Sequence, residues 1–185
     1  MFKSLAPAFL LATPHLTDPN FKQAVVLLFA HSEDGAMGVV VNRPSQRFLR
    51  EVLDSAGLDC PEATLRGQRV YSGGPVQSES GWVVFEGDDP LRESFEITDS
   101  LRVTGSVDVF KALLANPSRG RLMFLLGYAG WSPGQLDAEI EAGSWLPVPA
   151  DAATVFNVPV EERWRSAYLA CGIDPNLWSL TAGVG

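Results

Sequence analysis

Side chains that bind metals or act as nucleophiles are scarce in this sequence. It has two histidines, His15 and His31, and two cysteines, Cys60 and Cys171. The cysteines do not have CxxC spacing and no HExxH motif occurs, so the sequence predicts neither a metal site nor a bound cofactor. A low cysteine content is typical of proteins from a reducing compartment, and we therefore predict a cytoplasmic location.

No apolar run is long enough to cross a membrane. The apolar stretch near the N-terminus, Leu5–Ala12, is interrupted by Pro7 and is followed by Pro14. A transmembrane helix needs roughly 20 apolar residues, and a secretory signal needs a charged region and a cleavage site that this stretch lacks. The sequence therefore predicts no membrane association.

Positive charge is also limited. The 185 residues include 14 Lys and Arg against 22 Asp and Glu, a formal charge of −8, and residues 122–162 contain no Lys or Arg. Such a chain repels a phosphate backbone unless its cations share one face. A group of arginines with acidic residues interspersed does occur, at Arg43, Arg47, Arg50, Arg66 and Arg69. Direct DNA binding is therefore not expected, and a nucleic-acid-associated regulator is retained as an alternative that needs these arginines on one face.

The apolar pattern predicts an α+β fold. Predicted strands cover residues 9–12, 24–30, 38–41, 69–71, 81–86, 95–97, 101–104, 122–126 and 145–148. Predicted helices cover residues 46–56, 107–114, 133–142 and 159–171, with Ser45 and Ser106 as caps of the first two and Gly57 ending the first. Short turns join many of the strands, which favours a mixed, largely antiparallel sheet flanked by helices. No repeat or linker divides residues 1–185, so we predict one domain.

The segment Gly130–Gly134 matches the G-x-S-x-G nucleophile motif and suggests a serine hydrolase at Ser132. Pro133 has no N–H for an oxyanion hole, and both histidines precede the motif instead of following it. The same residues fit a helix start in which Ser132 is the N-cap, Gln135 completes a capping box and Trp131 packs on Leu136. We therefore expect no catalytic residues, and the hydrolase is a disfavoured alternative.

The carboxylates of this predicted helix, Asp137, Glu139 and Glu141, do not share one helix face. This spacing predicts a solvated surface. The five tryptophans are expected to pack in the core.

Several blocks of residues in a fixed order resemble the AlgH/YqgE family of bacterial proteins. The blocks are Phe9–Pro14 with Asp18 and Phe21, then His31 with Gly35–Pro44, then Gly73–Val76, and finally Gly127–Leu136 with Glu139, Ile140, Trp145 and Leu146. The resemblance covers about Leu5 to Trp178. It implies an α+β domain whose bifurcated sheet forms a partial barrel, with no established enzymatic activity or cofactor. The family is named as a transcriptional regulator through its association with alginate regulation, without a DNA-binding motif.

The family blocks also suggest a candidate ligand or partner surface. Its residues are His31, Asn42, Arg43, Gly73, Gly74, Pro75, Tyr128, Trp131 and Gln135. If these loops converge, they combine a cation, an amide, exposed backbone and aromatic rings, which suits a small polar ligand or a peptide of an unknown partner protein. The alternative is that they are turn and capping residues needed for folding. We predict a non-enzymatic regulatory or binding protein, a monomer or a weak homo-oligomer.

Overall fold

The computed structural model describes residues 2–116 and 120–178. In these residues the chain forms ten strands and six α-helices. The strands are β1 (Ala8–Ala12), β2 (Val25–Ser32), β3 (Gly35–Val40), β4 (Pro44–Phe48), β5 (Arg69–Ser72), β6 (Val76–Glu86), β7 (Phe95–Glu96), β8 (Leu101–Thr104), β9 (Leu122–Trp131) and β10 (Trp145–Val148). The helices are α1 (Leu49–Ala56), α2 (Ala63–Arg66), α3 (Val107–Ala115), α4 (Gln135–Glu141), α5 (Ala152–Phe156) and α6 (Arg163–Ala170). Short 3₁₀ turns cover Val160–Glu162 and Pro175–Leu177.

The strands form one open, branched sheet. Its main path runs β10-β1-β2-β3-β9-β6-β8-β7, and β5 joins β9 as a branch that also carries β4. The strand β9 is the branch point because Leu125 and Leu126 pair in parallel with β5, whereas Ala129–Trp131 pair with β3. The other described strand pairs are antiparallel. These pairings confirm the predicted mixed, largely antiparallel and bifurcated sheet.

The sheet curls without closing. Phe95, in the terminal strand β7, lies against Phe29 of β2 with 4.7 Å between the ring centroids. This contact brings one end of the sheet back over its middle. The arrangement is that of a partial barrel, as the family resemblance implies.

The central strands are buried on both faces. Neighbouring residues in a strand point to opposite faces, and Leu10 and Leu11 accordingly belong to two different apolar clusters although both are fully buried. The cluster that contains Leu11 packs against α6 through Ala167 and Tyr168. Covered faces on both sides explain why the apolar runs in the sequence are continuous instead of alternating.

The first predicted helix begins three residues later than expected. Residues Pro44–Phe48 form β4, in which Pro44 pairs with Tyr71 and Phe48 pairs with Arg69. Ser45 is therefore not a helix cap, and the prediction was wrong because strand pairing with β5 overrides the helical pattern at these residues. The predicted end at Gly57 is confirmed, since Gly57 has a φ of 65°.

Other boundaries also differ from the prediction. The helix predicted over residues 159–171 is a 3₁₀ turn followed by α6, and α2 and α5 were not predicted. Both β6 and β9 extend beyond their predicted apolar cores, to Val76 and to Trp131. The cap of α3 is confirmed, because the Ser106 hydroxyl accepts a hydrogen bond from the Val109 N–H at 3.3 Å.

Both cysteines are free thiols, with Cys60 buried and Cys171 exposed. In the described residues, no helix is long and apolar enough to span a bilayer. The same residues contain no cluster of His, Cys, Asp and Glu that could hold a metal ion.

Candidate functional site

The predicted surface residues occupy three places instead of one. Arg43, Gly74 and Pro75 line a common cleft. His31, Trp131 and Gln135 lie around α4. The third place is the sheet itself, where Asn42, Gly73 and Tyr128 make contacts with neighbouring strands.

The Arg43 cleft has a volume of about 240 Å³. Its lining residues are Pro19, Asn20, Val40, Arg43, Pro44, Ser72, Gly74 and Pro75. The half-buried Arg43 donates a hydrogen bond from Nη2 to the carbonyl oxygen of Lys22. Within the described ranges no carboxylate lies within 4 Å of this guanidinium. Burial therefore lowers the pKa of Arg43 below its ordinary value.

Two backbone segments cross closely beside this cleft. Gly73 donates from its N–H to Leu126 and accepts from the Val40 N–H, both at 2.8 Å. Gly74 has a φ of +150°, and a Cβ at this residue would lie 2.2 Å from the Tyr128 carbonyl carbon. Glycine is therefore required at Gly74 on two grounds, its backbone angle and the space beside it.

Asn42 is turned into the protein. Its Oδ1 accepts a hydrogen bond from the Val25 N–H at 2.9 Å, and its Nδ2 donates to the Gln23 carbonyl at 2.8 Å. Both ends of the amide are thus used to fix the start of β2. Tyr128 is half-buried and packs edge-on against Trp82, with 6.0 Å between the ring centroids.

His31 is buried between the N-terminal segment and α4. Its Nδ1 accepts a hydrogen bond from the Leu5 N–H at 3.1 Å, and its Nε2 lies 3.6 Å from Asp137 Oδ2. The Phe2 ring packs edge-on against it at 4.8 Å. The two ring nitrogens thus face groups other than the Ser132 hydroxyl, whereas a hydrolase would need the imidazole beside that hydroxyl.

A carboxylate clamp, formed by Glu139 with Trp131, Trp145 and Gln135, connects α4 to β9 and β10. Glu139 Oε2 accepts hydrogen bonds from Trp131 Nε1 at 3.0 Å and from Trp145 Nε1 at 2.8 Å. Glu139 Oε1 accepts a third from Gln135 Nε2 at 2.9 Å. The prediction of a solvated surface was wrong for Glu139, because side chains from three elements converge on its carboxylate.

The predicted start of α4 is confirmed in part. Gln135 Oε1 accepts a hydrogen bond from the Ser132 N–H at 3.0 Å, which is one half of the predicted capping box. Trp131 and Leu136 are both buried in one apolar cluster, as the predicted staple requires. The N-cap itself is Gly134, with a φ of 73° and no side-chain hydrogen bond, so Ser132 is not the cap.

Carboxylates and aromatic rings surround the arginine group. Arg66 forms an ion pair with Asp54 at 2.7 Å, and Arg47 lies 3.8 Å from Glu79. Arg50 and Arg69 stack over the Phe48 ring at 4.4 and 5.0 Å from its centroid. The group is therefore charge-balanced at two of its positions, as its mixed sequence predicts.

Sequence reasoning missed a larger cleft of about 490 Å³. Arg69, Arg121 and Arg163 are among its described lining residues. Arg121 and Arg163 lie at the two ends of residues 122–162, the stretch without Lys or Arg. They are far apart in the sequence, so no local pattern predicts that both line one cleft. The single available signal was that both ends of this acidic stretch are arginines.

These features define an α+β protein whose branched, open sheet carries arginine-lined clefts beside its branch point. The chain belongs to the AlgH-like family, whose profile matches residues 9–176. The comparison confirms the resemblance found in the sequence. The family has no assigned biochemical function.

Similar proteins cover nearly the whole chain. A UPF0301 protein from Saccharophagus degradans is 40% identical over 98% of this chain and 89% of its own length. A UPF0301 protein from Idiomarina loihiensis is 41% identical over 98% of both chains. The solution structure of the AlgH protein from Pseudomonas aeruginosa, 40% identical, has a TM-score of 0.77 and covers 100% of this chain and 99% of that one. A crystal structure of a Corynebacterium diphtheriae protein, 24% identical over 91% and 88%, has a TM-score of 0.74 and supports the fold alone.

Proposed function

We propose that this chain is a non-enzymatic cytoplasmic protein that binds a small polar anion in the Arg43 cleft and regulates a partner through that ligand. The observation that carries the proposal is the half-buried Arg43 guanidinium, which has no described carboxylate within 4 Å. Removing a charge from water without a counter-ion is unfavourable. An anion bound in the cleft would supply that counter-ion.

The other groups in the cleft favour a small oxyanion. The Ser72 hydroxyl and the Asn20 amide line it beside Arg43 and can donate neutral hydrogen bonds to carboxylate or phosphate oxygens. A volume of about 240 Å³ lies below the range of roughly 300–1,000 Å³ of drug-sized pockets. We therefore expect a ligand of few atoms with a carboxylate or phosphate group.

Two observations support a binding function over the alternatives. Pro133 follows Ser132 and offers no N–H, and the His31 nitrogens face Leu5 and Asp137, which argues against a hydrolase. Arg47 and Arg66 lie beside Glu79 and Asp54, which weakens the case for a polyanion surface.

A titration followed by ¹H–¹⁵N NMR tests the proposal. Sodium acetate and sodium phosphate are the two probes, with sodium chloride at equal ionic strength as the reference. We expect one of the probes, and not chloride, to shift the amide signals of Arg43, Ser72 and Gly74. Arg43→Gln should abolish the shifts.

The control is Arg50→Gln, which removes the same charge from an exposed side chain outside the cleft. It should leave the shifts unchanged. Equal responses in wild type and Arg43→Gln, or no response to either probe, would overturn the proposal.

A further inference from the structure

The larger cleft lies between the β4–β5 branch, the start of β9 and the segment that connects α5 to α6. Its lining residues include Arg69, Tyr71, Arg121, Phe156, Val160 and Arg163. The arginines in this set come from three separate parts of the fold, with Arg69 in β5, Arg121 before β9 and Arg163 at the start of α6. The fold thus concentrates positive charge on a chain whose net charge is −8.

Arg163 is a buried cation without a counter-ion, and it is 6% exposed. Its Nε donates to the Val158 carbonyl at 3.1 Å, and its Nη1 donates to the Val41 carbonyl at 2.6 Å. The guanidinium also lies over the Tyr71 ring, 5.5 Å from the centroid. In residues 2–116 and 120–178 no carboxylate lies within 4 Å of it. Buried charges in proteins are ordinarily paired with an opposite charge, so a buried arginine without a described counter-ion is unusual.

One amino group of Arg163 remains available to a ligand. Its Nη2 has no hydrogen-bond partner among the described residues. In that same part of the chain, Trp82 Nε1 is the single fully enclosed side-chain nitrogen or oxygen without a partner. Nη2 is therefore not fully enclosed, and Arg163 is one of the residues that line the cleft.

The other two arginines differ in their charge balance. Arg121 donates from Nε and Nη2 to both carboxylate oxygens of Glu86, at 2.7 and 2.8 Å, so its charge is neutralised. The exposed Arg69 donates from Nη1 to the Ser45 carbonyl at 3.1 Å, and no described carboxylate lies within 4 Å of it. The cleft therefore holds two uncompensated guanidinium groups.

The remaining lining of the cleft is largely apolar, with Phe156 and Val160 half-buried and Met123 and Val155 buried. An inorganic ion would leave the exposed parts of Phe156 and Val160 in contact with water. A ligand with both an anionic group and an apolar group would cover them.

We propose that this cleft binds a phosphate monoester that carries an apolar or aromatic group. The phosphate meets Arg163 Nη2 and Arg69, and the organic group covers the exposed parts of Phe156 and Val160. Two uncompensated cations match a phosphate monoester, whose charge approaches −2 above its second pKa of about 6. Arginine is also the residue suited to paired hydrogen bonds with phosphate oxygens. This cleft and the Arg43 cleft have only Pro44 in common among their described lining residues. Binding here therefore does not depend on the function proposed for the Arg43 cleft.

Calorimetric titration with phenyl phosphate, at pH 7.5 and fixed ionic strength, tests the site. We expect saturable binding to the wild type and affinity at least about tenfold lower in Arg163→Lys, which keeps the charge but loses the guanidinium fork. Arg69→Gln should also weaken binding several-fold. The control is Arg165→Gln, an exposed arginine on the same helix and outside the cleft, which should bind like the wild type.

The choice of ligand separates phosphate from other anions. Phenyl sulfate keeps one negative charge at every pH used and should bind several-fold more weakly than phenyl phosphate. The affinity for phenyl phosphate should rise between pH 5 and 7 as its second proton leaves, while the affinity for phenyl sulfate stays constant. The titratable side chains that face the described part of the cleft are the three arginines, Tyr71 and Glu86, the last through Arg121. None of these is a histidine, so the rise reports the ligand.

Each contrary result has a definite meaning. No binding of phenyl phosphate, or equal binding by wild type, Arg163→Lys and Arg69→Gln, would overturn the proposal. Equal affinity for phenyl sulfate would refute the dianion, and equal affinity for inorganic phosphate would refute the organic group. If circular dichroism shows that Arg163→Lys is unfolded, the exposed Arg69→Gln variant decides the outcome alone.

Discussion

The carboxylate clamp offers a sharp test of how α4 is held to the sheet. Trp131 and Trp145 are 7% and 3% exposed, and each donates its indole N–H to the same oxygen of Glu139. Glu139→Ala removes that oxygen and leaves both indole groups without an acceptor. The Phe21 ring packs on both tryptophans, so its packing also depends on the positions of the two indole rings.

The magnitude follows from the number of donors left unpaired. A buried donor without an acceptor costs about 1–3 kcal/mol, so two such donors lower the free energy of unfolding by about 2–6 kcal/mol. A middle value of about 4 kcal/mol corresponds to a fall in Tm of roughly 8–16 °C for a chain of this size. Glu139→Gln keeps an oxygen for both indoles and should cost about 1 kcal/mol, the net value of an ordinary hydrogen bond.

Urea unfolding followed by tryptophan fluorescence measures these differences. Glu141→Ala is the control, because it removes an exposed carboxylate from the same helix and should change stability by less than about 0.5 kcal/mol. If Glu139→Ala proves as stable as Glu141→Ala, the clamp does not hold α4 and the two indole N–H groups do not depend on Glu139.

Three further predictions concern the strands and their helices. In urea unfolding, Gly74→Ala should destabilise the protein by at least about 3 kcal/mol, because the new Cβ would clash with the Tyr128 backbone. The control Gly57→Ala has no atom within 4 Å of the new Cβ and should cost about 1 kcal/mol. The hydrogen bond from Arg121 lowers the pKa of Glu86, so this pair stabilises the fold above the ordinary value of 4.5 and loses its effect as the pH falls below it. Thermal unfolding of Glu86→Gln should therefore show a smaller loss of stability in acid than the wild type, and equal losses would contradict this. Tyr168→Phe should cost about 0.5–1.5 kcal/mol in urea unfolding, because the Tyr168 hydroxyl donates to the buried Ala12 carbonyl at 3.0 Å; no change would show that Trp164, which donates to the same oxygen at 2.8 Å, suffices.

The sequence was most informative where the sheet is buried on both faces. Continuous apolar runs around Leu10 and Val26 predict strands because every second side chain enters a different cluster. It was least informative at Phe48, where an apolar spacing typical of a helix begins inside β4. Pairing with β5, some twenty residues later in the chain, decides that segment, and no local pattern shows it.

The same limit applies to the clefts. Arg43 was found because it lies in one of the family blocks, and a second block supplies Gly74 and Pro75 to the same cleft. Arg163 was not found, because its partner at Val41 lies in the first third of the chain and only the folded sheet brings the two together. The clamp at Glu139 was missed for a related reason, since helical periodicity predicts a face but not the strand tryptophans that reach it.

The branch point at β9 also constrains when the protein can fold during its synthesis. The strands β3, β5 and β6 all precede β9 in the chain, and each pairs with it. Until residue 131 has left the ribosome, each of these strands has one edge whose backbone N–H and C=O groups lack their β9 hydrogen-bond partners. Such edges are templates for pairing with other chains. A nascent chain that stalls before β9 would therefore expose three of them at once, and its tendency to aggregate should fall once this single strand has emerged.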